Sequence, residues 1–544
     1  MQKRTYLFLI CLLLTAIIIT GCSKKNDPEQ PQPAKQLQRG GQLVYGTLQE
    51  PNSLNPILSD LTATAEVGRL VFSGLVTSDD KGQWVPDLAL EVPTLQNGGI
   101  SADGLTISYK LRSGVTWHDG VPFSAEDVKF TWNLIMHGQG KVVSQEGYDR
   151  IASVDAVDNQ TVVIRFKEYY APYLTLFSTI LPKHVLESSG DINKSSFNRM
   201  PIGTGPFKFK EWRIAESITF EANSAYFRGR PTLDNIIYKI IPDTNILLTQ
   251  LKSGDIDLVN NIVPTQLDQV KAINNIRTVI TPSMVWEHLD FNLDNALFQD
   301  VRVRQAIQAA IDRQAIVTTT LRNVAGMAVT DQPTFSWAYN GAVKPAGRDV
   351  NAARDLLTQA GWLPGADGIA IKEGQKLSFT LVTTSGNKMR EAVAQQLAQQ
   401  LKEAGILMQV QYVDVPGFFG DVLKNRRFEA AMYAWVAGID PENSRLWHSR
   451  YIPSRANGYD GQNYSGWRNP EIDKLAEQGK QTVDVEQRKQ IYYRMQEIMV
   501  QEVPVIPLYY RATIDVVKNN IANYRPNPTF AGNFWNAWQW GIMK

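Results

Sequence analysis

Between residues 377 and 413 the hydrophobic pattern changes period twice, and that change restricts the possible folds more than any other feature of the chain. Leu377, Phe379 and Leu381 alternate with Ser378 and Thr380, the two-residue period of a half-buried strand. Val393, Leu397 and Leu401 then recur at helical spacing, and Gly405 follows where a helix would stop. Met408, Val410 and Tyr412 alternate again with Gln409 and Gln411. Strand, helix and strand in succession predict a parallel pair with a right-handed crossover. Strands and helices alternate along the rest of the chain as well, so the expected class is α/β, with mixed sheets flanked by helices.

Local signals place further elements. Ala353, Leu356, Leu357 and Ala360 predict a helix opened by Asp349 or Asn351 and closed by Gly361; another starts near Val303, with Ile307, Ala310 and Ile311 inward. Residues 111–117 (LRSGVTW) read as a strand and 118–120 (HDG) as a turn. Ser124 to Asp127 has the S-x-x-[DE] form of a capping box, opening a helix through Val128, Trp132 and Ile135.

The N-terminus addresses the chain outside the cytoplasm. Lys3 and Arg4 precede an uncharged apolar stretch from Tyr6 to Thr20, the length of a signal-peptide core and short for a membrane span. Ile19-Thr20-Gly21-Cys22 resembles a bacterial lipobox, which makes Cys22 the expected lipidation site. Residues 22–40, polar and proline-containing, read as a flexible tether. The two cysteines are Cys11, inside the signal, and Cys22, so the mature chain is expected to have neither disulfide nor thiol chemistry. A long chain buries enough apolar surface without a disulfide.

With 55 Lys+Arg against 54 Asp+Glu, the net charge of +1 argues against nucleic acid as partner. The five histidines, His118, His137, His184, His288 and His448, include no H-E-x-x-H and no pair at metal-ligand spacing. G-x-S-x-G and G-x-x-x-x-G-K-[ST] are absent. His118-Asp119 reads as part of a turn rather than a catalytic couple. The glycines at 203 and 205 precede Pro206 and an alternating run from Phe207 to Lys210, a turn into a strand where a phosphate cradle would want a helix. Paired carboxylates of a glycosidase have no sequence spacing to search for, so that chemistry stays open.

A series of motifs then runs the length of the chain: 50–56 (EPNSLNP), 71–76 (VFSGLV), 84–89 (WVPDLA), 112–127, 203–207 (GTGPF), 223–229 (NSAYFRG), 254–257 (GDID), 291–292 (FN), 300–306 (DVRVRQA) with 311–313 (IDR), 463–467 (NYSGW) and 505–508 (VIPL). In content and order the series resembles the extracellular solute-binding proteins of family five, the peptide/nickel type that serves ABC importers. Residues 112–127 resemble the signature R-x-G-V-x-W-x-D-G-x-P-F-x-A-x-D.

The resemblance implies a two-lobed periplasmic-binding-protein fold of type II with an additional inserted domain. After a signal peptide at 1–21, the first lobe would take 41–80, 200–300 and 510–544, the inserted domain 81–199 and the second lobe 301–509. It implies an oligopeptide or peptide-like ligand held between closing lobes and delivered to an ABC permease. No cofactor, no metal and no catalytic residue is implied, and the expected state is a membrane-anchored monomer in the periplasm or on the outer face of the cell membrane. The competing readings are an exported peptidase or glycosidase, or a binder of an opine, oligosaccharide or metal chelate.

The resemblance also names contact candidates: Glu50, Pro51, Asn52 and Leu54 in the first loop, Trp286, Glu287 and His288, the segment Trp435, Val436, Ala437 and Gly438, and Asp440 and Tyr509. Relatives hold the peptide α-ammonium with an aspartate three residues after the tryptophan; here that position is Gly438. A buried ammonium needs a carboxylate. Either Asp440 takes the role, or Glu50 or Glu287 does, or the ligand has no free α-amine. Trp286 and Trp435 suit a cleft wall and core packing alike.

Overall fold

The computed structural model describes residues 37–344 and 347–544. The apolar stretch, Cys11 and Cys22 lie outside the described residues. Leu37 and Gln38, expected in the tether, instead pair antiparallel with Met543 and Ile542, so an ordered segment begins sooner than composition suggested.

The main sheet has eleven strands among the described residues. In chain order, ten of them are β1 (Gln42–Thr47), β2 (Phe207–Arg213), β3 (Ser217–Ala222), β4 (Asn235–Ile240), β5 (Leu258–Val259), β6 (Ile276–Phe291), β7 (Ser378–Thr384), β8 (Leu407–Val413), β9 (Ala430–Val436) and β10 (Val505–Lys518). Their spatial order is β8-β7-β9-β6-β10-β5-β1-β4-β3-β2, and Gly326–Met327 adds a short strand on β10. The strands β8, β7 and β9 are mutually parallel, as are β5, β1 and β4. Between the two groups lie β6 and β10, the longest strands, paired antiparallel from Ile276↔Lys518 to Asp290↔Val505. That ladder breaks between Pro282 and Trp286, where proline has no N–H to donate.

Each parallel group has its own core. Leu289, Phe298, Ile307, Leu381 and Leu397 pack with Ile506 on one side; Leu43, Tyr45, Leu70, Phe220, Tyr238 and Trp540 pack on the other. A separate antiparallel sheet of Thr106–Lys110, Ile151–Asp158 and Thr161–Phe166 packs around Trp117, Val128 and Ile164.

The strand–helix–strand unit forms as its pattern predicts. Asn387 caps the helix Lys388–Glu403, which buries Val393, Leu397 and Leu401, and β7 and β8 run parallel. Strand β8 is at the sheet edge, which leaves Tyr412 exposed. Of the two cap candidates it is Asp349 that accepts from Ala352 N–H, at 2.9 Å, and opens Val350–Gln359. The helix Val301–Ala310 buries Val303, Ile307 and Ala310. Helix Ala125–His137 opens with the capping box: Asp127 accepts from Ser124 N–H at 2.9 Å.

Residues 111–117 are not a strand. Leu111 and Thr116 make single bridges to Ala89 and Pro122, and between them Gly114 turns the chain at φ +73°. His118 and Asp119 face apart: His118 lies against the backbone of Gly203 and Gly205, while Asp119 meets His184. Gly203 and Gly205 serve close packing, since a Cβ at Gly203 would fall 1.8 Å from the Val71 carbonyl oxygen.

Several of the ordered motifs are joints of the frame. Arg304 is buried and donates to the carbonyls of Phe298, Glu502 and Val503. Asn463 bonds the Trp467 backbone twice, and Asn223 bonds Gly205 O. Asp87 accepts from Gly74 N–H and Arg228.

Candidate binding site

Strand β9 runs beside β6 in the register Trp435↔Trp286 and delivers the chain into residues 437–442. Ala437 N–H still bonds Met284 O at 2.8 Å, which fixes the exit of the strand. Beyond it the chain separates two cavities. The first, about 470 Å³, has walls from Trp286, Asp331, residues 434–438 and Glu442. The second, about 430 Å³, lies between residues 438–442 and a facing wall that includes Arg69, Ser78, Trp84 and Phe530. Gly438 and Glu442 belong to both.

Aromatic packing sets the first cavity. Trp435 stacks on Tyr464 with ring centroids 6.0 Å apart and planes within 13°. Trp286 stacks on His288 at 4.2 Å and meets Trp447 at 6.3 Å. Such walls bind apolar groups and amide faces without demanding one side chain.

The structure brings Trp286, Trp435, Val436, Ala437 and Gly438 together in the first cavity, and Asp440 lines the second. Gly438 has a local reason to lack a side chain, because a Cβ there would stand 2.6 Å from Asp440 O. Asp440 faces Arg488 through both carboxylate oxygens, at 2.8 and 2.9 Å.

The other candidates lie elsewhere. Glu50 accepts from Trp212 Nε1–H at 2.8 Å and Ala215 N–H at 3.0 Å. Pro51 and Leu54 are buried, and Asn52 accepts from the Ser59 hydroxyl at 2.6 Å. Glu287, 1% exposed, is held by Arg390 at 2.9 and 3.1 Å and by Arg511 at 2.9 Å. Burial alone would raise its carboxyl, but the two guanidiniums outweigh burial and hold it below the usual carboxylate range. His288 is fully buried with Nε2 3.1 Å from Asp290. Tyr509 packs in the core with Leu508, while Tyr510, on the other face of the strand, donates its hydroxyl to Thr330 O and Gln332 O.

Among the polar residues of the cleft that the sequence did not point to are Arg69, Asp331 and Glu442. They sit in a helix, a loop and a loop, and nothing in their local pattern marks them. Among the described residues no group of three or more His, Cys, Asp or Glu side chains is placed to hold a metal ion, and no helix is long and apolar enough to cross a membrane.

Parallel strand groups joined by a long antiparallel pair, with a two-sided cleft beside it, define an α/β binding protein of the periplasmic type. Residues 83–457 match the family model of the bacterial extracellular solute-binding proteins, family 5 Middle. The oligopeptide-binding protein AppA of Bacillus subtilis (strain 168) is 32% identical over 556 aligned positions, covering 100% of this chain and 99% of the relative. The solved structure of the B. subtilis protein in complex with a nonapeptide matches with a TM-score of 0.68 at 32% identity, over 94% of this chain and 100% of that one. NikZ from Campylobacter jejuni, in complex with Ni(L-His), matches with a TM-score of 0.70 at 30% identity, over 92% and 99%. The chain belongs to the bacterial extracellular solute-binding proteins of family 5.

Proposed function

We propose that this protein captures an oligopeptide or peptide-like solute in the cleft on either side of residues 438–442 and delivers it to an ABC permease. The observation that carries the reading is the cleft itself: two cavities of about 430 and 470 Å³ share one strand of backbone, with stacked tryptophans on one side and a facing wall on the other. An extended solute lying along that backbone is bound largely by main-chain contacts, which suits cargo of varied sequence. The similarity to a relative solved with a nonapeptide supports a peptide over the other solutes.

On this reading residues 41–80, 200–300 and 510–544 form one lobe, 301–509 the other, and 81–199 an insertion. Closure is driven by contacts the solute makes with both lobes at once. The solute leaves unchanged, so the protein is not an enzyme. Cys22 carries the lipid that holds a monomer at the membrane.

The test uses the purified mature protein and a peptide library. A bound peptide raises stability by RT ln(1 + [L]/Kd), about 2.7 kcal/mol at a hundredfold excess over Kd. Thermal shift should report that gain, and mass spectrometry should recover the peptide intact. Shortened products, or no stabilisation by any peptide, would overturn the proposal.

A further inference from the structure

We propose that Asp331 anchors a primary ammonium of the solute on the wall of the first cavity, beside Trp286 and Trp435. This rests on the peptide-binding reading and names the residue that replaces the carboxylate missing at Gly438.

Glu442 is only half-buried on both cavities and accepts from Ser444 N–H at 3.0 Å; the other acids nearby are already committed. Glu287 is shared by Arg390 and Arg511, and Asp440 is held by Arg488. Glu50 is occupied by Trp212 and the Ala215 backbone and lines neither cavity. A carboxylate cannot be restored at 438 without moving the Asp440 carbonyl.

Asp331 differs from all of these. It is 2% exposed and lines the first cavity. Its Oδ2 accepts from Asn443 Nδ2 at 2.7 Å, Trp447 Nε1 at 2.9 Å and Gln332 Nε2 at 3.4 Å. Its Oδ1 has no partner, and no Lys, Arg or His among the described residues pairs with it. A buried carboxylate without a counter-charge is costly, and a chain that keeps one beside a binding cavity has a use for it. Asn443, another residue of that cavity, also has a buried Oδ1 with no donor. Two acceptor oxygens without donors match the three N–H donors of an ammonium.

A primary ammonium comes from a peptide N-terminus or from a lysine side chain. Three pools of pentapeptides distinguish the sources: a lysine-free pool, the same pool acetylated on Nα, and an Nα-acetylated pool carrying one lysine. Apparent affinities are read by native mass spectrometry and thermal shift on wild type and Asp331→Asn. In wild type the free pool should bind about ten- to a hundredfold more tightly than the acetylated one, the range of a hydrogen bond to a charged group. Asp331→Asn should bring that ratio close to one. If the lysine pool alone regains affinity, and Asp331→Asn removes the gain, the site stands with the side chain as its source.

Equal affinity for all three pools in wild type overturns the proposal and needs no variant to fold. So does a ratio that survives in Asp331→Asn. If none of the pools binds at all, the peptide-binding reading itself fails.

Discussion

Glu287→Gln should destabilise the protein severely and leave its choice of solute unchanged. Glu287 is 1% exposed on β6 and receives Arg390 from a neighbouring helix and Arg511 from β10. The Arg390 side chain is 8% exposed and that of Arg511 is 38%. The amide keeps the shape but withdraws the charge, leaving one buried guanidinium uncompensated and a second partly so. Breaking a buried pair this way costs about 3–5 kcal/mol. Water screens Arg511, so the Arg390 contact dominates and the expected loss lies near the lower bound. Urea unfolding followed by tryptophan emission measures it as a shift in midpoint at constant slope. The loss should shrink in acid. A carboxyl held below its usual range stabilises the fold at pH values above its unfolded pKa, and the benefit disappears as pH falls through the folded one. Replacing Glu287 and Arg390 together by methionine should recover much of the loss, because only the water-screened Arg511 is then left without its partner. A cost below about 1 kcal/mol, or a double variant no better than the single, would refute the assignment. A change in the ratio of free to acetylated peptide affinity would show that Glu287 meets the solute after all.

Two more outcomes follow from the same structure. Gly438→Asp should weaken peptide binding in a titration, because its Cβ meets Asp440 O at 2.6 Å and the segment between the cavities must shift; tighter binding would refute this. Asp515, fully buried on β10 beside Tyr524 and Asn533, is pushed up to about 6 by burial. An acid raised on folding favours the folded state below its unfolded pKa and loses that contribution as pH climbs to the folded one, here worth about 3 kcal/mol. Stability of wild type relative to Asp515→Asn should therefore fall between pH 4 and pH 6 and level off above; a flat difference would refute it.

What the sequence revealed was what local periodicity and capping control. Val393, Leu397 and Leu401 mark their helix because one face must be buried, and Asp349, Ser124 and Asp127 mark starts because the first N–H groups need acceptors. Residues 111–117 misled because Leu111, Val115 and Trp117 are buried by the packing of a loop that turns at Gly114. In the site, Trp435 and Gly438 were legible through the family pattern. Glu287 looked like a free acid because its partners lie 103 and 224 residues away. Asp331 was invisible for the same reason: its donors from Asn443 and Trp447 arrive from 112 and 116 residues downstream. Such pairings depend on tertiary packing, which no window of sequence contains.

Arg304, Asn463, Asn223 and Asp87 spend their hydrogen bonds on carbonyls, backbone N–H groups and a neighbouring guanidinium, tying strand ends and loops to one another. Of the residues around the cleft, Trp84 belongs to one of the motifs, while Arg69, Asp331, Gly438 and Glu442 lie outside them. Lineages can therefore exchange one cargo for another by altering a few loop side chains while the parts that make them recognisable as kin stay fixed. If these side chains choose the cargo, grouping homologues by what stands at 331, 438 and 442 should sort them by solute, where grouping by the shared motifs should sort them only by ancestry.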